Sequence, residues 1–537
     1  MIHKSLIVIK LSICLFVVSC CYKGSCQSIT WEKNINFPEN SFKYPVYNIT
    51  SNPIARKLYF FNQLYTFNAG FYIYDMETDY LINVNTDNVT TNDFPRAIGD
   101  CIYNPFSNQV LVSENAPFEN NKVNIFVYNG VYDTIDEKIE ITATEYLKEM
   151  FITPDGHLYI SANMHSGLDP KILVYEIVED GNGNWSYNYE RTLSPTMPSY
   201  TKPFAFYVSQ YCYVPQVKAV YATITPNDTA LFPYYSVHNN RVNNNGVENG
   251  RLIKIVDEDI NGEASIYAPC KMLCPDANKL VESSAYQGKL YIVGEKMQIY
   301  DYADDLSSTI PSVISSNIRD IIYSPYYDKL YGTEDSANTG SGDRIVYLHE
   351  IAPNGTTTQL NTGDDLEYCK GESAGIFTNP YDYQNIYLYR KIDNNKLGAK
   401  QIWLLRFDPS QPPGSTLVDS VHLRNTSFFP DYVYNPDARM HFNNFITPYF
   451  DPYASSIYLP NGGHSNVSVV QFEPMEAYHI NDGEWAWMSF PRMERNDNDP
   501  VVANEVLGGG NIEPSGYKSY SSQLENLPLG QHIEVKN

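Results

Sequence analysis

Thr153-Pro154-Asp155-Gly156-His157-Leu158-Tyr159-Ile160 is the stretch on which the reading of this chain turns. Proline presets the second position of a tight turn, and Asp-Gly supplies a residue that tolerates positive φ, so the first four residues reverse the chain. The Leu-Tyr-Ile that follows has the β-branched and aromatic character of a buried strand. The same order of turn and strand returns seven times. It runs Ser51-Asn52-Pro53 to Leu58-Tyr59-Phe60, Tyr103-Asn104-Pro105 to Val110-Leu111-Val112, and Val214-Pro215 to Val220-Tyr221-Ala222. Further on come Tyr286-Gln287-Gly288 to Leu290-Tyr291-Ile292, Tyr323-Ser324-Pro325 to Leu330-Tyr331-Gly332, Thr378-Asn379-Pro380 to Ile386-Tyr387-Leu388, and Phe450-Asp451-Pro452 to Ile457-Tyr458-Leu459. Between Tyr59 and Tyr458 the units advance by about 57 residues each.

Most units carry a second alternating run downstream, such as Ile125-Phe126-Val127-Tyr128, Ile172-Leu173-Val174-Tyr175 and Ile345-Val346-Tyr347-Leu348. Helical periodicity is nearly absent. A unit of this kind has an apolar face that it cannot bury alone, so consecutive units stack, and radial stacking closes the stack into a ring with short edges. The chain is therefore expected to be all-β, a seven- or eight-bladed β-propeller with a short C-terminal extension. Eight phrases leave both numbers open, because such rings often close by pairing an N-terminal strand with the last repeat. The expected division is 1–28 as a signal peptide, 29–475 as the propeller and 476–537 as an extension whose tip is loosely ordered.

The unit Phe151 to Asn163, followed by Ile172 to Tyr175, resembles the repeat of NHL and YVTN-type propellers. That resemblance implies a fold and no particular activity. Beyond Glu476 the rhythm stops, and Trp485-Ala486-Trp487-Met488-Ser489-Phe490-Pro491-Arg492 is similar to segments of large surface proteins of Bacteroidetes.

Export is expected from the N-terminus. Lys4 and Lys10 flank and interrupt an apolar run from Leu6 to Val18, too short to span a bilayer and suited to a secretory signal. Val17-Val18-Ser19-Cys20 resembles a lipobox, which makes Cys20 a conditional lipid-attachment site. Cleavage near Gly24 to Ser28 would instead free a soluble chain, so the protein is expected to be secreted or held at the cell surface as a lipoprotein.

With 37 Lys and Arg against 62 Asp and Glu, the formal charge of −25 disfavours nucleic acid and anionic lipid as partners. In an oxidising compartment Cys270 and Cys274, separated by three residues, form a candidate local disulfide. No cofactor is called for, calcium being the one ion that the loops invite. Asp257-Glu258-Asp259-Ile260-Asn261-Gly262 opens like a calcium loop, but Ala268 stands where the twelfth-position Glu belongs, so a hairpin turn is preferred to a metal site. Asp180-Gly181-Asn182-Gly183-Asn184 fails in the same way. His238 and His464 sit among hydrogen-bonding residues on loops without a carboxylate partner nearby in sequence.

No nucleophile elbow, Walker loop, dinucleotide fingerprint or HExxH occurs, and no catalytic residue is assigned. The preferred reading is an exported module that binds a protein or a glycan, for which 46 Tyr supply rigid amphipathic rings. The alternative is a hydrolase, lactonase or lyase with a divalent cation in its central channel.

Overall fold

In all eight instances the turn-and-strand phrase connects the first two strands of a four-stranded antiparallel sheet. The computed structural model describes residues 29–37, 49–61, 71–84, 98–114, 122–142 except 133, 145–164, 170–197, 205–227, 250–275 except 268, and 284–306 except 295 and 305. It continues with 312–335 except 315–317 and 319, 345–394 except 371, 380 and 381, 399–423, 448–472 except 452–454 and 461–465, 485–489 and 532–536; residues 143 and 144 fall outside as well.

Eight sheets form the ring, so the blade number is eight. Blades 1 to 7 occupy 49–83, 98–142, 145–193, 205–266, 269–314, 320–359 and 372–423, each a meander of four consecutive strands. Blade 8 takes three strands from 449–472 and its fourth from the other end of the chain. There Ile29–Asn36 lies antiparallel to Asn466–Phe472, with Ile29 opposite Phe472 and Asn36 opposite Asn466. Two further bonds fasten the closure. The Ile29 amide donates to Asp419 of blade 7 at 2.8 Å, and Arg56 of blade 1 pairs with the buried Asp451 of blade 8 at 3.1 Å. Outside the repeat, Trp485–Ser489 pairs with His532–Lys536 in a separate two-stranded sheet.

The turn chemistry is uniform. In seven blades the third residue before the central position of the second strand has positive φ: Arg56, Asn108, Gly156, Lys218, Gly288, Asp328 and Ser455. Such a residue ends the common three- and four-residue hairpin loops built on a type I turn. Blade 7 turns differently, with Asn379 opposite Asp382 and the Asp382 carboxylate accepting bonds from Tyr387 and Asn385, both at 2.6 Å.

The apolar residues form eight clusters, one for each blade interface. Because side chains alternate across a strand, the second strand of each blade serves two interfaces. In blade 1, Leu58 and Phe60 face blade 8 while Tyr59 and Phe61 face blade 2. The central residue of the phrase always faces the following blade: Tyr59, Leu111, Tyr159, Tyr221, Tyr291, Tyr331, Tyr387 and Tyr458 are all buried in the next interface.

Neighbouring first strands line the centre and approach closely. A Cβ on Gly99 of blade 2 would sit 2.1 Å from the Leu147 carbonyl oxygen of blade 3, so no side chain fits there. Polar side chains of these inner strands bond across to the next blade. Asp100 accepts from the Met150 amide at 2.8 Å, Gln210 from the Met272 amide at 2.6 Å, and Asp320 from the Ile376 amide at 2.9 Å. Thr50 donates to the Cys101 carbonyl at 2.6 Å.

Burial holds the Asp100 carboxyl up at about 7, against the opposing pull of its bonds from the Met150 and Cys101 amides. Its folded-state value lies above the unfolded one, so the stabilisation it brings is complete below about pH 4 and is lost as pH rises through 7. Wild type should accordingly lose about 2 kcal/mol or more relative to Asp100→Asn between pH 5 and pH 8 in paired denaturant titrations. A difference that does not change with pH would mean that the carboxylate is ionised throughout.

Candidate functional site

In a meander, the turn from first to second strand and the turn from third to fourth strand emerge on the same face of the ring. Blades 3 and 4 each put an acidic turn there. In blade 3, Pro154, Asp155 and Gly156 form the first turn, and the second strand starts at His157. In blade 4, Asp257 and Glu258 are the two residues of a tight hairpin between Gly250–Val256 and Asp259–Ile266, at φ 47° and 56°. Both central residues with positive φ define the turn type that usually takes Asn-Gly, and Asp-Glu is an uncommon occupant. This segment is the hairpin that the sequence favours over a calcium loop. It has a second role that the sequence does not reveal.

Glu258 reaches across the blade interface to His157, whose Nε2 lies 3.5 Å from Glu258 Oε1 and 3.8 Å from Glu190 Oε2. On the other side of the ring, Nδ1 lies 3.5 Å from Asp155 Oδ1. The imidazole is 18% exposed, and the donor atoms of His157, Glu190 and Glu258 all lie within 4.8 Å of one another. Arg191 pairs with Asp259 at 2.9 Å and also feels the charges of Glu258 and Glu190. Beneath the cluster, the Tyr159 hydroxyl is held far up by burial and then by the fields of Glu258, Asp155 and Glu190. Local negative charge therefore exceeds positive charge at an imidazole whose two nitrogens both face carboxylates.

The other loop candidate, Asp180 to Asn184, is also a hairpin turn. Asp180 accepts from the Asn182 and Asn184 amides at 2.8 and 3.1 Å and from the Asn184 side chain at 2.8 Å, which holds its carboxyl below the usual range. Cys20, His238 and His464 lie outside the described residues.

A second feature of the same face is apolar. Ile54, Phe106, Val131 and Tyr132 are exposed large hydrophobic side chains, Tyr132 at 75%. They come from three touching turns of blades 1 and 2. The Gly130 amide donates to the Asn108 carbonyl at 3.2 Å, and Lys57 donates to the Val131 carbonyl at 2.9 Å, which wedges the 129–134 turn between the other two. The polar residues of the inner strands are engaged differently: Asp320 is shared between Lys271 and the Ile376 amide, and Asp100 and Gln210 hold the next blade.

Cys274 is a buried free thiol in the interface of blades 4 and 5, where Cys212 packs against it. A hydrogen bond with Cys274, and then burial, push the Cys212 thiol well above its ordinary value. The Cys270 side chain lies outside the described residues.

No family model and no curated protein matches the chain. Among solved structures, it is similar to the hydrazine synthase of Kuenenia stuttgartiensis, at 13% identity and a TM-score of 0.39 over 81% of this chain and 98% of that one. A candidate 6-phosphogluconolactonase from Bacteroides uniformis matches at 12% identity and a TM-score of 0.34, over 67% of this chain and 96% of that one. The β-propeller domain of Myceliophteria thermophila Cps50 matches at 10% identity and a TM-score of 0.34, over 69% and 98%. At such identities the likeness concerns the fold alone.

The thiol contact yields a direct expectation. Oxidised glutathione should take two electrons and two protons from Cys212 and Cys274 and join them as a disulfide across blades 4 and 5, seen as one cross-linked peptide in a non-reducing digest. A dominant Cys270–Cys274 product would instead assign the pairing to the local loop.

Proposed function

We propose that this chain is the binding module of an exported protein and that it holds a protein partner on the turn face of blades 1 and 2. The observation that carries this reading is the cluster of Ile54, Phe106, Val131 and Tyr132 on three touching turns. Exposed apolar groups gathered at one place on a rigid scaffold are how binding surfaces differ from the rest of a protein's exterior. Two aromatic anchors among aliphatic neighbours suit a protein surface better than a glycan, since Ile54 and Val131 offer no ring to stack on a sugar face. The signal-like run from Leu6 to Val18 and the likeness of Trp485 to Arg492 to surface proteins support the extracytoplasmic setting, with Cys20 as the lipid-bearing residue if the chain is anchored.

The catalytic alternative requires three or four donors converging on the channel. Among the described residues the inner-strand groups Asp100, Gln210 and Asp320 bond the next blade, and the three-donor group of His157 lies at the turns of blades 3 and 4. The binding reading is preferred on that ground.

The test compares the wild-type chain with Phe106→Ser/Tyr132→Ser as bait, under identical conditions, against extracellular proteins and in parallel against a glycan array. Both substitutions remove exposed side chains, so the melting temperature should stay within a degree or so while affinity for the retained protein falls about tenfold or more. Retention of the same proteins by the double variant would overturn the assignment to this patch, and specific glycan capture by the wild type alone would replace the protein partner with a sugar.

A further inference from the structure

The imidazole of His157 faces carboxylates from both of its ring nitrogens. A neutral histidine keeps one N–H and one lone pair. If the N–H is on Nδ1, beside Asp155, the lone pair is on Nε2, which lies 3.5 and 3.8 Å from carboxylate oxygens of Glu258 and Glu190. Three acceptors then converge on one point, which is unfavourable unless a positive charge lies among them, whether a proton on Nε2 or a metal ion. Arg191 pairs with Asp259 at 2.9 Å and also feels the fields of Glu258 and Glu190 from the surface.

The geometry suits a metal ion. Zinc binds nitrogen and carboxylate oxygen at about 2.1 Å in a tetrahedron, which keeps neighbouring donors roughly 3.4 Å apart. Both imidazole-to-carboxylate separations are already near that value, and only the two glutamates, within 4.8 Å, have to close. Asp155 stands where metal-binding histidines commonly find the carboxylate that fixes their tautomer through the other ring nitrogen. The three ligands belong to the second strand and fourth strand of blade 3 and to a hairpin of blade 4, all on packed strands or a two-residue turn. His157 and Glu258 are half-buried while Glu190 is exposed, which leaves an entry path and a fourth position open to water.

We propose that His157 Nε2, Glu190 and Glu258 form a site for one divalent transition-metal ion of the zinc class, oriented by Asp155 and bridging blades 3 and 4. Two carboxylates neutralise the dication. The imidazole selects against calcium, which takes six to eight oxygens, about twice what this set offers. The site is separate from the apolar patch of blades 1 and 2, and its test does not depend on a partner being found.

The experiment uses the full chain, freed of metal by dialysis against a chelator, and titrates zinc against a chromophoric zinc indicator at neutral pH. The expected result is saturable binding of one zinc per chain, unaffected by millimolar calcium. His157→Ala should lose about a hundredfold or more in affinity, and Glu258→Gln about tenfold or more with the metal-free melting temperature unchanged. Cobalt(II) should give visible absorption bands of a tetrahedral ion, absent from His157→Ala. Absence of one-to-one binding, equal affinity in Glu258→Gln and wild type, or displacement of zinc by calcium would each overturn the proposal.

Discussion

The structure depends on one constraint: both faces of every blade are apolar, so a blade is stable only between two others. The second strand of blade 1 is buried along its whole length, with alternate side chains serving two different interfaces. Burying a large apolar side chain stabilises by about 1.5–3 kcal/mol, and each interface gathers nine or more such buried residues. The two end blades of an open stack would each leave a face uncovered. Closure by Ile29–Asn36 removes them, because that strand completes blade 8 and lets it cover blade 1.

Packing of this kind determines where chemistry is available. Side chains in the strand interiors are committed to the interfaces, and inner-strand polar groups such as Asp100, Gln210 and Asp320 hold the next blade in register. What remains is the turns. There the same geometry that joins blades brings side chains from separate repeats together: three turns gather Ile54, Phe106, Val131 and Tyr132, and the Asp257-Glu258 hairpin reaches His157. The rigidity of the ring gives these groups fixed separations despite their position on connections.

The fold was legible in the sequence because its signals are local. A Pro turn, a positive-φ residue and an apolar-Tyr strand lie within a few residues of one another, and the burial of all eight central residues follows from that pattern. The choice between seven and eight blades was not legible, since the strand that completes the last blade lies at the other end of the chain. The same limit hid the donor group. Asp257 and Glu258 drew notice for oxygens at alternate positions, yet Glu258 meets its partner across a blade interface, and only a register for blades 3 and 4 would have placed it beside His157. Cys274 likewise touches Cys212, which is distant in sequence, while the spacing drew attention to Cys270.

Ring closure is the central claim, and amide hydrogen exchange tests it most directly. The intact chain is compared with one lacking Ile29–Asn36, following Ser456–Pro460 and Asn466–Phe472 of blade 8 and Lys57–Phe61 of blade 1. The account predicts that protection falls sharply in all three strands while those of blades 3 to 5 keep theirs. Unchanged protection in blade 8 and blade 1 would contradict it.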